Sequence, residues 1–144
     1  MRIDFFSGHA KAPNHIGVDI VKEADIVLNL DDPNLELPFD SNSIDGARAH
    51  QGIEHIHNGI AFFNEVYRVL IKGAELELST PLAGTPQFWQ DPTHVKGYVI
   101  ESFQYFVKDS PFQKEKDEYG ITANFELVRG AIIDGWNLEV VLRK

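Results

Sequence analysis

The sequence predicts an α/β domain built on a mostly parallel sheet with a reversed, antiparallel edge. Three observations carry this expectation. Short apolar runs bounded by turn residues fill the first third, an amphipathic helix with a glycine stop occupies the middle, and two strand-like runs joined through Asp134-Gly135 end the sequence. The length of 144 residues suits one domain spanning 1–144, because a domain of this size buries roughly 70% of the surface its unfolded chain exposes.

Arg2 to Phe6 is an apolar run closed by Ser7-Gly8, which reads as a buried strand ending in a turn. His15 to Ile20 and Asp25 to Leu30 read as the next two strands, and Ile44 to Ala49 as a weaker fourth. Between them, Asp31-Asp32-Pro33-Asn34 and Pro38 to Ser43 are loops, since Asp, Asn and Ser bond back to their own backbone and Pro fixes φ. Ile60, Phe63, Val66, Tyr67 and Leu70 recur at spacings of three and four, predicting a helix from about 58 to 70 stopped by Lys72-Gly73. Glu75 to Ser79 alternates with period two, as a strand with one buried face does. The segment 80–96, with Pro81, Gly84, Pro86 and Pro92, reads as a long loop. Ile100 to Val107 reads as a short helix, 109–120 as a polar exposed stretch, and Phe125–Arg129 with Trp136–Leu142 as a closing hairpin.

One feature of the first third is unusual. Parallel strands are normally joined by a crossover of a dozen or more residues, yet only 9–14 and 21–24 lie between the first three strands. The crossover helices are therefore missing, so a reduced sheet is expected with one face uncovered near strands one to three. An exposed apolar face of that size should be buried by another subunit, so a homo-oligomer, most simply a dimer, is expected.

Composition narrows the function classes. Hydrophobic residues at 43% and charged residues at 24% are those of a globular protein. No apolar run approaches the roughly 20 residues of a membrane span, and no basic-then-apolar leader precedes the first strand, so a cytoplasmic protein without membrane partners is expected. The absence of cysteine excludes disulfides, thiolate metal sites and thiol nucleophiles. A formal charge of −9 disfavours nucleic acid as a direct partner. His50, His55 and His57 lack the helical spacing of a known site, so no metal is expected.

Asp4 with Gly8, then Asp19, then Leu37-Pro38-Phe39, then Glu54-His55 and the helix before Lys72-Gly73 occur in an order that resembles the compact SAM-dependent methyltransferases of the methyltransferase type 11 kind. The resemblance runs from Ile3 to about Phe106 and implies a Rossmann-like fold with S-adenosylmethionine (SAM) as cofactor. It implies a cofactor site of Asp4, Ser7, Gly8, Asp19, Asn29, Leu30 and Gln51. A glycine after strand one lets backbone approach the methionine part, and a carboxylate after strand two accepts hydrogen bonds from the ribose hydroxyls. Asn29-Leu30 resembles the pair beside the adenine, and Gln51 lies where the sulfonium would be. Asp91-Pro92-Thr93-His94 resembles a segment on the acceptor side, which makes His94, assisted by Asp91, the candidate general base for a small-molecule acceptor. Where the family has Gly-x-Gly, this sequence has Phe6-Ser7-Gly8. That departure, with the short crossovers, supports an alternative: a non-catalytic methyltransferase-like binding or assembly module.

Overall fold

The computed structural model describes residues 1–144. Seven strands form one sheet: β1 (Arg2–Phe5), β2 (Ile16–Asp19), β3 (Ile26–Val27), β4 (Ile44–His50), β5 (Leu70–Pro81), β6 (Glu126–Ile133) and β7 (Asn137–Arg143). Their spatial order is β3-β2-β1-β4-β5-β7-β6. Every pair from β3 to β5 is parallel, whereas β7 runs antiparallel to both β5 and β6. This is the mostly parallel α/β sheet with a C-terminal antiparallel hairpin expected from the sequence.

The first connections are indeed too short for helices, and the strands they join are still parallel. A returning chain needs only to retrace a four-residue strand, about 13 Å, which ten extended residues exceed comfortably. Carboxylates replace helices as the fasteners. Asp4 accepts from the Ala12 N–H at 2.7 Å, Asp25 from Gly17 N–H at 2.8 Å, and Asp19 from Gly8 N–H at 2.8 Å.

Helix α1 (Gly59–Val69) leaves β4 through a 3-10 turn at Ile53–His55 and feeds directly into β5. Its buried side chains are Phe62, Phe63, Val66 and Val69, so the inner face is rotated relative to the Ile60–Tyr67 stripe read from spacing. Phe62 draws it round, packing its ring 5.4 Å from Phe5 and 5.2 Å from Phe6. Strand β5 begins at Leu70, earlier than the predicted Glu75, and carries Gly73 at φ +86 inside it, so that glycine marks a bend in a strand and not the end of the helix.

The predicted 80–96 loop contains a one-turn helix, α2 (Pro86–Trp89), capped by the Thr85 side chain, and Ile100–Phe106 is a 3-10 helix. The stretch expected to be polar and exposed holds α3 (Gln113–Glu118), whose Lys116 is 2% exposed. Its ammonium donates to the Val107 carbonyl at 2.8 Å and to Asn124 Oδ1 at 3.3 Å, which offsets the cost of burying it.

The core lies on one face of the sheet, where Ile3, Phe5, Ala47, Ala49, Leu76, Leu78, Val140 and Leu142 meet α1 and the segment after β5. The opposite face is uncovered, as expected, but it is not apolar. Asp4 beside Arg48, Arg48 beside His50, Glu75 beside Arg143, and Arg129 beside Glu139 form polar pairs across it. Strand alternation puts most apolar side chains of these strands on the covered face, with Val27 and Val141 among the exceptions, and charged groups dominate the other face, so the broad apolar surface expected over strands β1–β3 is not there.

Candidate active site

The carboxyl ends of β1, β2 and β4 open onto a cavity of about 510 Å³ lined by Phe6, Gly8, Asp19, Ile20, Asn29, Leu30, Asp31, Gln51, Gly52, His55 and Ile56. Five of the residues assigned from the sequence therefore meet: Gly8, Asp19, Asn29, Leu30 and Gln51. They come from four separate segments, and the volume is that of an ordinary small-molecule site. Open α/β sheets bind ligands at this end because the loops leave there and the strand order reverses between β1 and β4.

Two other assigned residues point elsewhere. Asp4, 5% exposed, holds the Ala12 N–H and faces Arg48 Nε at 3.3 Å, on the far side of the sheet from the core. Ser7 is buried, with a Cβ on Gly17 placed 2.7 Å from its Oγ. Neither lines the cavity.

The remaining groups fit a nucleoside-bearing ligand. Asp19 spends one oxygen on the Gly8 N–H and the other on Val21 N–H at 3.2 Å, leaving acceptor capacity for hydroxyl donors. Over Gly8, at φ +55, nothing lies within 4 Å of where a Cβ would be, so the backbone there is open to close approach. Asp31 closes the rim by accepting the N–H groups of His57 and Asn58, which fixes the entry to α1. Burial works to raise the Asp31 carboxyl, but these hydrogen bonds prevail and hold it below the usual range.

Phe6 shapes the cavity wall. Its backbone is left-handed, φ 57, the conformation a glycine would take without cost. Its ring lies between Phe62 and Gly52, and a Cβ on Gly52 would collide with it. The aromatic is thus accommodated by a glycine on the neighbouring loop, and the cavity remains open beside it.

Gln51 and His55 belong also to a second cleft of about 440 Å³, together with Glu54, Pro81, Gln87, Gln90, Asp91, His94 and Trp136. Here both assigned catalytic residues, His94 and Asp91, come together, with His94 Nε2 3.8 Å from Asp91 Oδ2. Glu54, 1% exposed, lies behind them, its Oε2 accepting from the Thr80 hydroxyl at 2.9 Å. Burial pushes the Glu54 carboxyl up, against the opposing effects of its own backbone N–H, Thr80, His55 and His94. From the sequence Glu54-His55 enters only as part of the family-like order of residues, and Thr80 only as the start of a loop. No spacing rule could join residues 54, 80 and 94, which meet only through the loop after β5.

The fold and the cavity at the carboxyl end of its sheet are those of a Rossmann-like domain, and the comparisons find its likeness among methyltransferases. Residues 9–78 match the model of the methyltransferase domain family. No curated protein matches the sequence. Among solved structures, an S-adenosylmethionine-dependent methyltransferase from Mesorhizobium loti is similar over 99% of this chain and 90% of its own, at 14% identity and a TM-score of 0.59. A SAM-dependent methyltransferase from Thermotoga maritima covers 99% and 81%, at 13% identity and a TM-score of 0.66. The [4+2]-cyclase SpnF matches over 99% and 73%, also at 13% identity and 0.66. At such identities the structures speak for the fold alone.

Proposed function

We propose that this protein is a SAM-dependent methyltransferase acting on a small-molecule acceptor. The observation that carries the reading is the convergence of Gly8, Asp19, Asn29, Leu30 and Gln51 on one cavity that shares Gln51 and His55 with the cleft of His94 and Asp91. Asp19 would take the ribose hydroxyls, Asn29 and Leu30 the adenine, and the open backbone at Gly8 the methionine part.

When bound, SAM supplies an electrophilic methyl on a sulfonium. The protein's part is positional: it sets the acceptor atom in line with the methyl from the side of the second cleft. His94 Nδ1 lies 2.6 Å from the Phe88 carbonyl, which fixes its proton there and leaves Nε2 with a free lone pair. That lone pair is placed to take the proton of the attacking acceptor, with Asp91 orienting the resulting imidazolium.

Calorimetric titration with SAM and with its demethylated product tests the reading. Binding of both in the micromolar range is expected, and no heat at millimolar ligand sinks it. A second reading, a binding or assembly module without methyl transfer, draws on Phe6 at the glycine position. The [4+2]-cyclase among the structural neighbours shows the fold carrying another chemistry. Cofactor binding without turnover over a broad panel of acceptors would favour it.

A further inference from the structure

We propose that Glu54, His55 and His94, with Asp91 at the rim, form a site for one divalent transition-metal cation, zinc foremost. The ligand atoms of Glu54, His55 and His94 lie within 4.8 Å of one another. Glu54 Oε1 is 3.9 Å from His55 Nε2 and 4.0 Å from His94 Nε2, and Asp91 Oδ2 is 3.8 Å from the latter. Two ligands on a tetrahedral zinc at ordinary bond lengths sit about 3.4 Å apart, so the set closes by a contraction of about half an ångström between Glu54 and each imidazole and of up to about 1.4 Å across its widest pair, a small rotation of the accessible His55 ring.

The surrounding bonds prepare these atoms. Thr93 donates its hydroxyl proton to Asp91 Oδ1 at 2.7 Å, so at 2.9 Å it accepts from His55 Nδ1. His94 Nδ1 donates to the Phe88 carbonyl. Both imidazoles therefore carry their proton on Nδ1 and turn a free Nε2 lone pair toward Glu54, the tautomer that metal-bound histidines adopt when an outer group holds the other nitrogen.

An independent observation marks the centre. Glu54 is 1% exposed, and its Oε1 has no hydrogen-bond partner although Oε2 is held by Thr80. A buried carboxylate oxygen with nothing bound to it is costly, and a cation facing it would remove that cost. The donor set of two imidazoles and a carboxylate is one that zinc and iron(II) take, and none of the donors is a thiolate. The other four histidines have partners elsewhere: His50 pairs with Arg48 on the bare sheet face, His57 with Asp31, His9 with Glu23 and His15 with the Pro13 carbonyl.

Asp91 and His55 are solvent-accessible, which leaves the metal an open position toward the cleft. This deepens the proposed function and rests on it for one point, the occupant of that position, an oxygen of the methyl acceptor. A metal-held hydroxyl loses its proton more readily, and the proton leaves to solvent through exposed Asp91. In that state His94 is a ligand, and the base role passes to the metal.

The test is titration of metal-free protein with Zn²⁺, and with Co²⁺ for its visible spectrum, in the absence of SAM. One equivalent should bind with a dissociation constant on the order of 10 μM or tighter, with the absorption of a histidine-ligated Co²⁺. His55→Gln and His94→Gln should each weaken binding at least about 30-fold, and Thr93→Ala, which releases the His55 ring, about 10-fold. His50→Gln should leave it unchanged. Circular dichroism confirms that each variant folds, and His55→Gln, on an accessible side chain, keeps the test open should His94→Gln fail to. Absence of binding at 1 mM, or binding that survives both substitutions, overturns the proposal. Because no cofactor is present, this outcome is separate from a failure to bind SAM.

Discussion

Phe6 is held in a left-handed conformation that costs a bulky residue roughly 1–2 kcal/mol, and only its surroundings can sustain it. Its ring lies against Phe62 and fills the space over Gly52. Gly52→Ala should therefore destabilise the fold by about 2 kcal/mol through overpacking. In a Phe6→Gly background the same change should cost under about 0.5 kcal/mol, because its clash partner is gone. Equal costs in both backgrounds, measured by urea denaturation, would show that the two residues are not coupled. Asp19 carries a different expectation: Asp19→Asn should weaken SAM binding by about 10-fold or more, since a charge-assisted acceptor for ribose is lost. The amide oxygen can still accept the Gly8 N–H while the Val21 N–H loses its acceptor, so a loss of stability of about 1 kcal/mol is expected and affinity is compared at a temperature where both proteins are folded. An unaltered affinity would remove Asp19 from the cofactor site.

The element that positions the central strands is the Leu37–Phe39 loop, clamped by α1. Glu65 accepts the Leu37 N–H at 2.7 Å and two bonds from Arg68, from Nε and Nη2; Nη1 donates to the Phe39 carbonyl and Nη2 also to that of Leu37. Burial works to raise the Glu65 carboxyl, but Arg68 and the Leu37 amide outweigh it and hold it below the usual carboxylate range. The sign follows: a lowered folded-state value gives stability that is complete above the ordinary glutamate range and is lost as pH falls through the folded value. Glu65→Gln should reduce stability at pH 7 by about 1–2 kcal/mol, and the difference from the unmodified protein should vanish in acid. A gap that persists unchanged at pH 3 would contradict it. The loop itself was legible from Leu37-Pro38-Phe39, and the helix from its period. The clamp was not, because Glu65 and Arg68 read as an ordinary i, i+3 surface pair until the loop is seen folded across them. The same limit hid Lys116, which reads as one more charge in a polar run, and hid the meeting of Glu54 with His94. Periodicity reports which face an element buries, whereas contacts between loops depend on where the whole chain returns.

At the scale of the molecule, the loss of crossover helices leaves a sheet with two different surfaces. The uncovered face is satisfied by its own charges, so it needs no partner. The sheet's edges are another matter. At one edge β3 is only two residues long, but at the other β6 runs for eight and pairs solely with β7. Its outer row of backbone N–H and C=O groups is unpaired, and Leu127, Val128, Ile132 and Ile133 are 37–48% exposed. Long apolar edges of this kind template further strands. We propose that the homodimer expected from the sequence forms along β6. Antiparallel pairing about the strand's midpoint sets Leu127 of one copy opposite Ile132 of the other, so the same patch satisfies both subunits, as two-fold symmetry requires. Light scattering at micromolar concentration should give twice the mass of one chain. Val128→Lys combined with Ile132→Lys, both at exposed positions, should give a monomer with an unchanged circular dichroism spectrum and unchanged SAM affinity, because β6 lines neither cavity. A single-chain mass for the unmodified protein removes the dimer, and a dimer that survives both lysines places its interface elsewhere.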